Sequence, residues 1–141
     1  MGVVSEAENE EFKLIVTSEK DRYALDEEIP FNIEIHNISD EEELTVYTNS
    51  TLLYFHLIGE DNDVEVRSDG MDMAEVRTII KGEPHKETLV LDKEDEAYGD
   101  LLEGMNAGKY TIIFRVAYGK DGYMDRKEVS TQLEFEIEDE G

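Results

Sequence analysis

Between positions 29 and 36 the chain switches character at every residue: Ile29, Phe31, Ile33 and Ile35 are apolar, while Asn32, Glu34 and His36 are polar. A helix would scatter that set around its circumference, whereas a strand puts residues i, i+2 and i+4 on one side of a sheet. The same period recurs in Tyr110, Ile112, Phe114, Val116 and Tyr118, which alternate with Thr111 and Arg115. It recurs again in Leu133, Phe135 and Ile137, set between Gln132, Glu134 and Glu136. Each segment predicts a strand with one face on a core and the other toward water.

Shorter apolar segments at 12–17, 44–48, 52–58, 63–67 and 87–91, bounded by Asp, Asn, Ser and Gly clusters, bring the expected total to about eight strands. Short strands joined by turn residues, with little helical periodicity, point to an all-β antiparallel sandwich. A short helical turn is expected within the 92–103 connection. The expected organisation is a flexible acidic lead-in over 1–11, a single sandwich domain over 12–138 and a frayed tail over 139–141.

Tyr110 opens a late strand just after Asn106-Ala107-Gly108-Lys109. Immunoglobulin-like sandwiches place a tyrosine corner at such an entry, its hydroxyl bonded back to nearby backbone. The fold class expected is therefore an immunoglobulin-like β-sandwich, and Tyr110 is expected to make that bond.

The formal charge is -24, from 37 acidic and 13 basic residues. Such a field repels phosphate backbones and anionic headgroups, and the basic residues form no stripe, so nucleic acid is excluded as a partner. Cysteine is absent, which removes disulfides, thiolate nucleophiles and sulfur-ligated metals. No apolar run approaches the roughly eighteen residues of a membrane-spanning helix. The first residues, Met1-Gly2-Val3-Val4-Ser5-Glu6, lack the basic and apolar regions of an export signal. Such a chain is expected either in the cytosol or as the mature part of an exported protein.

No Gly-x-Ser-x-Gly turn and no phosphate-binding glycine loop occurs, and the glycines sit singly at turns. His36 and His85 lie at polar or strand-end positions and read as surface imidazoles. His56 lies in an apolar stretch and reads as half-buried packing. Three histidines so placed do not make a zinc site. Catalytic, cofactor-binding and metal residues are accordingly expected to be none.

Calcium is the one cofactor for which a pattern exists. Asp92, Glu94, Glu96, Tyr98, Asp100 and Glu103 fall at positions 1, 3, 5, 7, 9 and 12 of an EF-hand loop. Ala97 stands where that loop needs glycine, and no flanking helices are evident. Looser surface sites would use Asp61, Asn62 and Asp63, or Asp92 with Asp95.

The segment 52–58 is apolar at both parities, with Leu53, Phe55 and Leu57 on one face and Leu52, Tyr54 and Ile58 on the other. The second face is either covered by the 92–103 connection or left open as a partner surface.

Several short stretches share one outline: Ser18-Glu19-Lys20 through Tyr23, then Asp26-Glu27-Glu28-Ile29-Pro30-Phe31, then His36-Asn37-Ile38-Ser39. With Gly82-Glu83-Pro84 and Ala107-Gly108-Lys109-Tyr110-Thr111 further on, the outline over 12–138 resembles bacterial immunoglobulin-like modules. Two groups share it: secreted or lipid-anchored proteins of Gram-positive bacteria, and the intracellular proteinase inhibitor family. The first resemblance implies a non-enzymatic, extracytoplasmic binding or structural module with a protein or cell-wall partner, held by a lipid anchor upstream of the given chain. The second implies a cytoplasmic inhibitor, with no inhibitory residues to carry over. A calcium-stabilised acidic surface module is the third expectation.

Overall fold

The computed structural model describes residues 2–25, 27–48, 52–60, 64–68, 75–92, 106–120 and 126–138. Its elements are β1 (Val3–Glu8), β2 (Phe12–Ser18), β3 (Arg22–Ala24), β4 (Ile29–Asn37), β5 (Glu43–Thr48), β6 (Leu53–Gly59), β7 (Glu65–Arg67), β8 (Glu75–Ile80), β9 (His85–Leu91), β10 (Gly108–Gly119) and β11 (Arg126–Glu138). Two sheets result. The first has the order β1-β2-β4-β9, antiparallel throughout. In the second, β11 flanks β10 on one side, while β6 and β5 follow one another along the other side; β7 extends from β6 and β8 from β5.

The inward residues anticipated from the alternation meet between the sheets. Phe31 of β4 packs against Phe114 of β10 at 5.5 Å between ring centroids and against Phe135 of β11 at 5.9 Å. Phe12 of β2 meets Tyr118 edge-on at 4.9 Å. Phe12, Leu14, Val16, Phe31, Ile35, Ile112, Phe114 and Val116 are fully buried. Burial of each such side chain stabilises by roughly 1.5–3 kcal/mol, so this seam is where the two sheets are held together.

Tyr110, fully buried, stacks on Phe135 at 5.4 Å and donates its hydroxyl hydrogen to the Asn106 carbonyl at 2.6 Å. The expected return bond to nearby backbone is therefore present.

The strand count differs from expectation: eleven strands among the described residues rather than about eight. Val3–Glu8, read from sequence as part of a flexible lead-in, is paired along its whole length with β2, from Val3 opposite Ser18 to Glu8 opposite Lys13. Its inward side chains are only Val3, Ser5 and Ala7, each half-buried, too small to give a strong alternation signal. Ser5 Oγ also lies 2.5 Å from Thr131 Oγ1, which ties β1 to β11 of the opposite sheet.

Arg22–Ala24 was not expected either, and it pairs with β11 in parallel, an exception to the antiparallel pattern. Tyr23 explains its position: the ring is buried edge-on to Phe135 and the hydroxyl shares a hydrogen with Ser18 Oγ. The helical turn expected in 92–103 and the tail 139–141 fall outside the described residues, apart from Asp92.

Candidate functional site

The strand register dictates what stands on the outer face of the second sheet. Phe55 and Leu57 of β6 point inward opposite Phe114 and Ile112, so Tyr54, His56 and Ile58 point outward opposite Arg115, Ile113 and Thr111. On the far side of β6, Arg67 of β7 stands opposite His56. On the far side of β10, Ser130 of β11 stands opposite Arg115. Directly opposed side chains lie about 5 Å apart at Cβ, so these residues form a continuous surface.

They enclose a groove of about 290 Å³ lined by Tyr54, His56, Arg67, Ile113, Arg115 and Ser130, with Ser68 and Glu128 at its margins. Ile113 supplies an apolar floor. The Arg115 guanidinium carbon lies 5.3 Å from the centre of the Tyr54 ring, within cation–π reach, which holds its planar head over the groove.

The ion pairs at the margins are loose. Arg115 Nε is 3.8 Å from Glu128 Oε2, and Arg67 Nη2 is 3.9 Å from Glu65 Oε2, both beyond hydrogen-bond length. His56 Nε2 lies 2.9 Å from Glu65 Oε2 and 3.3 Å from Arg67 Nε. One ring nitrogen cannot both donate to the carboxylate and accept from the guanidinium, so the tautomer of His56 selects its partner.

A second polar cluster joins the two sheets at one end. Glu11, with a side chain only 3% exposed, accepts a hydrogen bond from the Tyr118 hydroxyl at 2.6 Å. Lys127 Nζ lies 3.2 Å from Oε1, and Lys120 Nζ lies 3.7 Å from Oε2. Burial by itself would raise the Glu11 carboxyl pKa. The Tyr118 and Lys127 hydrogen bonds, with both ammonium groups, outweigh it and hold the group below its ordinary value. Tyr118 is pushed up, by burial first and by the adjacent carboxylate second. Asn9 completes the cluster: Nδ2 donates to Tyr118 Oη at 2.8 Å, and Oδ1 accepts from the Glu11 and Phe12 backbone amides at 3.0 and 2.9 Å. Among the described residues no buried side-chain donor or acceptor is left without a partner, and this cluster has the form of a structural clamp.

The other histidines sit beside glutamates on their own strands, His36 Nε2 at 3.0 Å from Glu34 and His85 Nε2 at 2.8 Å from Glu87. Neither joins the groove. Among the described residues, no three His, Asp or Glu side chains converge as a metal ligand set. Asp61, Asn62, Asp63, Glu94, Asp95, Glu96, Tyr98, Asp100 and Glu103 lie outside the described residues, so only Asp92 of the calcium candidates is seen. Among the described residues, no helix is long and apolar enough to cross a membrane.

Sequence reasoning singled out Tyr54 and His56 but missed Arg67, Arg115 and Ser130. One signal was present: Ile113 puts a large apolar residue between Thr111 and Arg115 in the outer phase of β10, as Tyr54 and Ile58 do in β6.

An all-β sandwich with an open, mixed cationic and aromatic groove on one outer face is the class that fold and site define. The chain matches no protein-family model and no curated protein. Among solved structures it is similar to part of a β-glucosidase from Listeria innocua in complex with glucose, at 20% identity and a TM-score of 0.48 over 90% of this chain and 16% of that one. It is also similar to part of Spo0M, a sporulation control protein from Bacillus subtilis, at 14% identity and a TM-score of 0.49 over 91% of this chain and 49% of that one. The chain thus spans 16% and 49% of the lengths of these two structures.

Proposed function

We propose that this chain is a non-enzymatic, immunoglobulin-like binding module that engages its partner through the groove on the outer face of β6, β7, β10 and β11. The observation that carries this reading is the pairing of Tyr54 with Arg115 beside the apolar floor of Ile113. Tyrosine and arginine around an apolar centre are the composition of binding hot spots, because each offers a large contact area together with directional donors. The Tyr110 bond to Asn106 supports the immunoglobulin-like assignment of the sandwich. The outline carried by Lys20, Tyr23, Asn37 and Ser39 is shared by exported modules and by the cytoplasmic inhibitor family; of the two, we adopt a place outside the cytoplasmic membrane, with a protein or cell-wall partner.

The test is binding of the labelled chain to isolated envelopes of the source cells, repeated with Ile113→Glu after its folding is confirmed by circular dichroism. Saturable binding that the substitution abolishes is the expected result. Equal binding by both chains would remove the groove from the account, and no saturable binding would remove the envelope partner.

A further inference from the structure

Arg67 and Arg115 are two of five arginines in a chain with 24 more acidic than basic residues, yet both border the same groove. By register they stand two strands apart and about two residues apart along the sheet, so their Cα atoms are on the order of 12 Å from each other. Among the described residues the carboxylates paired with them, Glu65 and Glu128, are held at 3.9 and 3.8 Å, too far for hydrogen bonds. Each guanidinium therefore has donors to offer that its ion-pair partner does not use.

Two features prepare these groups to receive an anion. Tyr54 beside Arg115, 5.3 Å from ring centre to guanidinium carbon, restrains the side chain, so less rotamer freedom is lost when a carboxylate docks. At the other end, if Arg67 turns toward a ligand, His56 Nε2 can carry the hydrogen and donate it to Glu65 at 2.9 Å. Withdrawal of Arg67 then leaves neither the imidazole nor Glu65 without a partner.

We infer that the groove binds an extended acidic peptide segment, with Arg67 and Arg115 each receiving one carboxylate. Residues i and i+2 of an extended chain point to the same side and lie about 7 Å apart, an interval that two arginine side chains rooted about 12 Å apart can reach by turning toward each other. The intervening backbone crosses β6 between His56 and Tyr54, with Ile113 beside it. The field of the whole chain opposes an acidic partner at long range, so the acidic segment belongs to a protein that is otherwise basic. This inference rests on the groove being the binding surface proposed above.

The test is titration of the ¹⁵N-labelled full chain with short end-blocked peptides, one carrying Asp at i and i+2 and one carrying Asn at both positions. The Asp peptide is expected to move the amide signals of Tyr54, His56, Ile113, Arg115 and Ser130. The Asn peptide is expected to bind at least tenfold more weakly. Arg115→Ala and Arg67→Ala should each cost the Asp peptide about tenfold or more, while Glu128→Gln, which removes the competing carboxylate, should strengthen it. A role for Glu128 in folding alone would not produce a gain. Equal binding of the Asp and Asn peptides would overturn the carboxylate assignment and leave the groove as a binding surface. Failure of both peptides to bind, or stronger binding of a uronic-acid oligosaccharide, would overturn the peptide assignment, whatever the envelope experiment returns.

Discussion

The Tyr118 hydroxyl reaches Glu11 Oε1 across 2.6 Å, joining the turn between β1 and β2 to the end of β10 in the opposite sheet. A carboxylate this deeply buried is tolerated because Tyr118, Lys127 and Lys120 surround it with donors and positive charge. Its effect on stability has a definite sign. The folded pKa of Glu11 lies below its ordinary value near 4.5, so its contribution is complete above that value and is lost as pH falls through the depressed folded value. Glu11→Gln should cost about 2 kcal/mol at neutral pH, and the gap to the wild type should narrow below about pH 4.5. Urea titrations at pH 7 and pH 3 measure both gaps, and a gap independent of pH would contradict the assignment.

Tyr118→Phe removes the same hydrogen bond from the other side and leaves Lys127 in place beside the carboxylate. A loss of about 1–3 kcal/mol is expected, with strong coupling to Glu11→Gln in a double-mutant cycle. Additive losses would mean that the two groups do not act on each other.

Tyr110→Phe tests the entry to β10 in isolation. The ring stays packed on Phe135 while the bond to the Asn106 carbonyl is lost. About 1 kcal/mol, or roughly 2–4 °C in thermal midpoint, is the expected cost. An unchanged midpoint would show that the corner is packing alone.

The clearest strands in the sequence are those with a run of large apolar residues in one phase, Ile29 to Ile35 in β4, Tyr110 to Tyr118 in β10 and Leu133 to Ile137 in β11, while the shorter apolar segments at 12–17, 44–48, 52–58, 63–67 and 87–91 correspond to β2, β5, β6, β7 and β9. β8 could not be read, because only Ile79 of its three large apolar residues points into the core. Val76 and Ile80 are exposed, while Glu75 and Arg77 turn inward, Arg77 donating to Glu75 at 3.0 Å and to Thr48 Oγ1 at 3.3 Å. β1 was hidden by the smallness of Ser5 and Ala7. The groove was half legible: Tyr54 and His56 stand out within one strand, but their meeting with Arg67 and Arg115 depends on register between strands distant in sequence. Glu11 carried no signal at all, being one acid among 37.

Deleting residues 2–8 tests whether β1 belongs to the sandwich. The deletion takes away the pairing with β2 and the Ser5 contact to Thr131, and it bares the edge of β2. A lower thermal midpoint together with concentration-dependent self-association is expected, because an uncovered edge strand offers unpaired amides and carbonyls to another chain. Sedimentation velocity over a range of concentrations reads the second effect. A monomeric truncated chain of unchanged midpoint would mean that β1 contributes nothing.

The last prediction concerns the charge itself. An excess of 24 negative charges over one small sandwich repels itself, and compaction brings those charges closer than they are in the unfolded chain. Added salt shortens the Debye length from about 30 Å at 0.01 M to about 3 Å at 1 M, which screens this repulsion. Exposed pairs such as Arg22 with Glu138 lose strength under the same screening, but such pairs are worth about 0–1 kcal/mol each and are outnumbered by unbalanced acids. The thermal midpoint should therefore rise with sodium chloride and by the same amount with choline chloride. A fall with salt would show that attractive pairs dominate. Calcium chloride at matched ionic strength should give no additional rise if screening is the whole effect, whereas an extra rise would reveal a divalent site contributed by the acidic loops.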